Sequence, residues 1–175
     1  MLRFFASLAV WYPLLDANSR LLTSSYAIRG ADTTAEAEVE VCKQFHEPMH
    51  LRNERCYFHD LCCDEEGMTE VALVNDQLEL GAALRFSVKE LPCLTEWKML
   101  SEGEYVVGLE PGNTNPIGRV AAKEKGTLEY IAPGEKKKVS IELTILDGEE
   151  EIAAEEQKIN ALCGRKVCPS RFRGQ

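Results

Sequence analysis

Glu110 stands in Gly108-Leu-Glu-Pro-Gly-Asn113, at the end of an apolar run and directly before Pro111-Gly112. A strand stopping there presents the carboxylate at a sheet rim, where a partly apolar pocket raises its pKa and suits it to act as a general base. The competing reading is a turn in which Glu110 accepts hydrogen bonds from the Gly112 and Asn113 backbone. Upstream, Thr95-Glu-Trp-Lys98 places Glu96 and Lys98 on one face of a strand and Thr95 and Trp97 on the other. An ammonium, a carboxylate and a nearby indole are the ingredients of a sugar site, with polar groups on the hydroxyls and a ring against the apolar side of a pyranose. The same residues also describe a surface ion pair beside a core tryptophan. His59-Asp60 is equally open: a proton carrier, or a buried structural histidine.

Cys56-x-x-His59-x-x-Cys62-Cys63 has the residue types of a metal cluster. On a strand, however, Cys56 and Cys62 fall on one face and His59 and Cys63 on the other, and ligands so divided do not close one tetrahedron. No metal site is expected. The seven cysteines (42, 56, 62, 63, 93, 163 and 168) are odd in number, which points to free thiols in a reducing cytoplasm.

These groups must be positioned by strands. Thr69 to Val74, the turn Asn75-Asp76 and the alternating run Leu78 to Phe86 read as a hairpin, with Leu78, Leu80, Ala82, Leu84 and Phe86 on one face. Residues 92–100, 104–110, 126–131 and 137–146 read as further strands, parted by Ser101-Glu-Gly103, Pro111-Gly-Asn113 and Pro133-Gly134. In the last of them Val139, Ile141, Leu143 and Ile145 alternate with polar residues, predicting one buried and one wet face. An all-β antiparallel β-sandwich follows. Residues 31–43 form a short helix or an irregular acidic stretch, the glutamates after Asp147 a solvated charged face, and the basic C-terminal end a loose tail.

Composition narrows the partners. With 175 residues and 45% hydrophobic residues the chain buries a substantial core, and 20 basic against 29 acidic residues give a net charge of −9. That field repels a phosphate backbone, so neither nucleic acid nor an anionic membrane surface is an expected partner. It also weighs against a highly phosphorylated substrate, although Arg85, Lys98 and Arg119 offer a local basic spot. No run approaches the length of a bilayer span. The opening fifteen residues have an apolar stretch of signal-peptide type, but Pro13 interrupts it and Asp16 follows at once.

The segments Tyr12-Pro-Leu-Leu-Asp-Ala-Asn-Ser-Arg20, Cys56-Tyr-Phe-His-Asp-Leu61, Leu94-Thr-Glu-Trp-Lys-Met99, Tyr105-Val-Val-Gly-Leu-Glu-Pro-Gly-Asn113 and Ile131-Ala-Pro-Gly-Glu135 occur in that order. Together they resemble the C-terminal half of an aldose 1-epimerase-like family, a largely uncharacterised bacterial branch of the galactose mutarotase-like superfamily. The resemblance implies a large antiparallel β-sandwich, here incomplete at the N-terminus, that binds a monosaccharide on its concave face and needs no metal or other cofactor. It implies acid–base mutarotation: a glutamate takes the proton of the anomeric hydroxyl, a histidine protonates the ring oxygen, and the ring opens, turns and recloses. Glu110 stands in place of that glutamate, with His59, Asp60, Glu96, Trp97, Lys98 and Asn113 as expected sugar-binding residues.

The departures matter as much. The family's His-x-Asn ahead of the Tyr-Pro-Leu-Leu segment falls, counting back, on Ser7 and Ala9, so the histidine acid is missing. Residues 1–11 are accordingly read as a non-matching segment, 12–158 as a partial aldose-epimerase-like sandwich and 159–175 as tail. Two functions are expected from this: a cytoplasmic aldose 1-epimerase-like isomerase with His59 as substitute acid, or an inactive carbohydrate-binding fragment that lacks a preceding half and self-associates through uncovered sheet edges. In either case Glu110 and Lys98 are expected to open into one concave surface.

Overall fold

A computed structural model describes residues 6–11 and 14–163 and the backbone of 166–167. Two antiparallel sheets form a sandwich. Strands β1 (Leu8–Trp11), β3 (Ser25–Gly30), β4 (Arg55–Cys63), β7 (Cys93–Ser101), β8 (Glu104–Gly112) and β10 (Lys166–Val167) make the first, in the order β1-β8-β7-β4, with β3 and β10 both paired to β4. Strands β2 (Ser19–Thr23), β5 (Met68–Asn75), β6 (Leu80–Ser87) and β9 (Ile141–Asp147) make the second, in the order β2-β5-β6-β9. Between the sheets lies the main core, including Leu61, Val71, Leu73, Leu84, Phe86, Leu94, Val107 and Leu109.

Short turns set the registers. Gly103 adopts φ +85°, a left-handed conformation that glycine takes without strain, and lets Glu102-Gly103 join β7 to β8 with Ser101 opposite Glu104. From that pair every later one is fixed: Lys98 meets Val107 and Thr95 meets Glu110. Near the start of the chain, Asp32 caps helix α1 (Thr33–Ala37) by accepting from the Thr34 and Ala35 N–H groups. The helix closes so tightly over Gly30 that a Cβ there would lie 2.0 Å from the Glu36 nitrogen. Residues 39–41 continue as one 3₁₀ turn.

Several sequence expectations change. Residues 126–131 are not a strand; after helix α2 (Arg119–Glu124) the Thr127 and Leu128 N–H groups both turn back to the Ala122 carbonyl and so are not offered to a sheet. Strand β9 (starting at Ile141, not 137) pairs with β6, but its predicted buried face is only half covered: Val139 and Ile141 pack on the core, whereas Leu143 and Ile145 are 54% and 62% exposed. Leu78 and Leu80, expected to share the inward face of Leu84 and Phe86, are exposed as well. The acidic run after Asp147 opens helix α3 (Glu149–Cys163), which carries through the boundary drawn at residue 158 and into the expected tail. Its carboxylates Glu149–Glu151 suit the first turn, while Ile152 and Ile159 pack on Leu22, Ala72, Val74, Ala83 and Leu146 of the second sheet. Among the described residues no helix is long and apolar enough to cross a membrane. Cys42, Cys56, Cys62 and Cys163 are thiols, whereas Cys63 is disulfide-bonded, which corrects the expectation of free thiols throughout.

Candidate active site

Alternation along β4, β7 and β8 divides the polar residues between two faces of the first sheet. Inward, toward the second sheet and helix α1, point Tyr57 and His59, Leu94, Glu96, Lys98 and Leu100, and Val107 and Leu109. Outward, on a half-exposed face, lie Cys56, Phe58 and Asp60, Thr95 and Trp97, and Gly108 and Glu110.

Glu110 heads the outward face. Opposite it on β7 is Thr95, opposite Thr95 on β4 is Phe58, and opposite Phe58 on β3 is Arg29, so one row runs Arg29-Phe58-Thr95-Glu110. Beside Glu110, at 3.3 Å from its Oε1, is the Ser7 hydroxyl. A parallel row runs Cys56-Trp97-Gly108-Ala9. Gly108 is the floor between the two rows: a Cβ there would approach Glu110 Oε1 to 3.4 Å, Ser7 Oγ to 3.5 Å and Trp97 Cε3 to 3.7 Å. Its bare backbone lets a carboxylate, a hydroxyl and an indole converge on one point. The indole is held by its N–H, which donates to Glu54 Oε2 at 2.7 Å.

Two polar atoms on this face are buried without a hydrogen-bond partner among the described residues, Thr95 Oγ1 and Arg29 Nε. Such atoms carry a desolvation cost that a polar ligand relieves. The other end of the Arg29 guanidinium donates to Asp60 Oδ1 at 3.1 Å. Cys56, between Glu54 and Glu110, is raised to about 12 by burial and then by those carboxylates, so it is a neutral thiol at physiological pH.

The expectation that Lys98 shares a surface with Glu110 is overturned. Lys98 is 3% exposed on the inward face. Its ammonium donates to the carbonyls of Cys42 and, at 3.1 Å, of Gln44, lies 4.8 Å from the centre of the Phe45 ring and pairs with Glu96 Oε1 at 3.2 Å. Glu96 Oε2 lies 3.2 Å from His59 Nε2, and His59 Nδ1 meets Ser25 Oγ at 2.8 Å. Glu96, Lys98 and His59 therefore form an internal brace that ties β4 and β7 to the segment around Cys42 to Phe45. Placed there, His59 does not reach Glu110 as a substitute acid. Asn113 is buried beyond the end of β8 and donates to Glu129 Oε2 at 3.0 Å. Of the expected binding residues, Asp60 and Trp97 lie on the Glu110 face.

Ser7, Thr95, Arg29 and Gly108 were not singled out as a group by sequence reading. A signal for Thr95 existed: a two-residue turn at Glu102-Gly103 pairs residues whose numbers sum to 205, which puts Glu110 opposite Thr95 and on the side of Trp97. For Arg29 no comparable signal existed, because its neighbour Phe58 is set by a strand pairing interrupted by a bulge between Ser25 and Ala27.

Comparison with known proteins agrees with this architecture. A search of curated proteins gives no match. Among solved structures, the crystal structure of a "putative aldose 1-epimerase" from Klebsiella pneumoniae superposes with a TM-score of 0.87 at 24% identity, covering 93% of this chain and 43% of that one. The fold is thus galactose mutarotase-like, and the chain spans less than half the length of that protein. Residues 8–145, which include every strand of the outward face except β10, match the model of a family described as a domain of unknown function, DUF4432, and the chain belongs to that family.

Proposed function

We propose that the outward face of the first sheet binds an aldose and that Glu110 is the base for interconverting its anomers. The observation that carries this reading is the convergence of the Glu110 carboxylate, the Ser7 hydroxyl and the Trp97 indole over the bare backbone of Gly108. Trp97 offers a flat apolar surface to a pyranose, and Thr95 Oγ1 a hydroxyl still to be satisfied. In the forward half-reaction Glu110 takes the proton from the anomeric hydroxyl, the bond from that carbon to the ring oxygen breaks, and the ring oxygen takes a proton from an acid. The open-chain aldehyde turns about its first carbon–carbon bond and the steps reverse.

Among the described residues, no histidine stands beside Glu110 on this face to serve as the acid. Ser7 occupies the position beside Glu110 to which the family resemblance assigns a histidine, and a serine hydroxyl does not donate protons readily at neutral pH. This favours, as a second reading, sugar binding with little turnover. NMR exchange spectroscopy on anomerising aldoses tests both. If the chain turns substrate over, Glu110→Gln lowers the rate by about two to four orders of magnitude, the scale of one acid–base group. If it only binds, Ser7→His raises the rate over background and Glu110→Gln abolishes that gain. Turnover indifferent to Glu110 in both backgrounds refutes the assignment.

A further inference from the structure

At the far end of the Arg29-Phe58-Thr95-Glu110 row lies a cavity of about 240 Å³ whose lining includes Arg29, Phe58, Thr114, Asn115 and Lys125. In a chain of net charge −9 its lining holds two cations and no carboxylate. Asp60 engages one Nη of Arg29 from the side, but the buried Nε finds no acceptor among the described residues. A buried guanidinium N–H without an acceptor calls for one, and an anionic oxygen is the strongest that chemistry offers.

Neither of two other basic groups suits that role. Lys98 is on the inward face, and Arg85 belongs to the second sheet, between Glu70 and Glu142. The row from Arg29 to Glu110 crosses three strand spacings, about 14 Å. That accommodates, between the two end groups, one hexose ring with a charged substituent at one side.

We propose that this cavity is an anion subsite, and that the aldose bound on the outward face carries an acidic group, a phosphate or a carboxylate, at the end remote from its anomeric carbon. Arg29 Nε and Lys125 receive the acidic oxygens, Phe58 lies under the ring edge, and the anomeric carbon falls toward Glu110. A single acidic group agrees with the acidic chain, because the local pair of cations, not the overall field, does the selecting. The inference rests on the reading of Glu110 as the site of the anomeric centre.

The test is a calorimetric and NMR titration of the full chain with glucose, glucose 6-phosphate, glucuronate and inorganic phosphate. One of the two acidic sugars binds at least about tenfold more tightly than glucose, the scale of a charge-assisted hydrogen bond, and which one it is distinguishes phosphate from carboxylate. Arg29→Met removes that advantage. Lys125→Met, at an exposed position, weakens the acidic sugar alone and serves if Arg29→Met does not fold. Glucose binding that depends on Glu110, with neither acidic sugar binding better, overturns the subsite and spares the Glu110 reading. An advantage that survives both substitutions, or inorganic phosphate binding as tightly as the sugar phosphate, also overturns it. No perturbation by any sugar overturns both.

Discussion

Replacing Glu96 by glutamine keeps the shape of the internal brace and removes its negative charge. The Lys98 ammonium, 3.2 Å from the carboxylate in the native protein, would then remain buried without a counter-ion. Breaking a buried pair in this way costs about 3 to 5 kcal/mol, since one charge is left uncompensated. Here the Cys42 and Gln44 carbonyls and the rings of Phe45 and Tyr57 still face the ammonium, which favours the lower end, about 3 kcal/mol. For a chain of this size each kcal/mol moves the melting temperature by about 2 to 4 °C, so Glu96→Gln should melt about 6 to 12 °C lower. Because Glu96 lies on the inward face, sugar affinity measured well below that melt should stay within twofold of the native value. Removing both charges in Glu96→Gln/Lys98→Met should cost less than the sum of the single variants, the signature of direct coupling. Urea unfolding of the four proteins measures the cycle. A single variant within about 1 kcal/mol of native stability, or one that keeps its native melt and loses sugar binding, refutes the brace.

Three further outcomes follow from other parts of the molecule. Burial and the neighbouring carboxylates hold the Cys56 thiol up at about 12, so it should resist alkylation at pH 7 to 8 in the native protein and react on unfolding; rapid native labelling, read by peptide mass spectrometry, would contradict its surroundings. Hydrogen bonding from Arg55, reinforced by Arg52, holds the Glu38 carboxyl below its ordinary range, so its stabilisation is present above that range and lost as pH falls through the lowered pKa. Glu38→Gln should therefore be about 1 kcal/mol less stable near neutrality and match the native protein in acid; a difference unchanged down to acid pH would be evidence against the ion pair. The apolar groove of about 440 Å³ between β1 and β6/β9, lined by Leu8, Trp11, Leu14, Leu80 and Ile145, should make the isolated chain self-associate, and Ile145→Lys should reduce this by charging an edge strand. A native chain that sediments as a monomer at every concentration tested would refute that.

The sheet was legible because its strands alternate cleanly and its turns are punctuated. The β5–β6 hairpin was marked by Asn75-Asp76 between two apolar runs, although Asn75 itself pairs with Leu80 and the loop is the four residues 76–79; β7 and β8 needed only Glu102-Gly103. What misled was the habit of assigning charge to the wet side. Glu96 and Lys98 alternate with Thr95 and Trp97, so the division into faces is visible in the sequence, but which face is buried is not. The charges turn inward because they neutralise each other and because backbone carbonyls from a distant segment, at Cys42 and Gln44, complete the ammonium's shell. Helix α3 hid in a similar way: five glutamates in eight residues mask the 3.6-residue spacing of Ile152, Ile159 and Leu162. Glu110 drew notice because an acid before Pro-Gly is conspicuous, although the strand expected to stop there runs on through Pro111 and Gly112, whereas Arg29 is one ordinary residue in an irregular strand.

Strand β7 therefore carries two independent texts, one on its even positions and one on its odd. Leu94, Glu96, Lys98 and Leu100 answer to the interior, and Thr95 and Trp97 to whatever rests on the outer face. A systematic scan along these residues should rise and fall with a period of two, stability responding at one position and ligand preference at the next. Compensating substitutions should respect the same division, so that core changes rescue even-numbered losses and leave odd-numbered ones untouched. Descendants of such a strand are free to change what they recognise, one outward residue at a time, while the inward residues hold the register that keeps Glu110 in place.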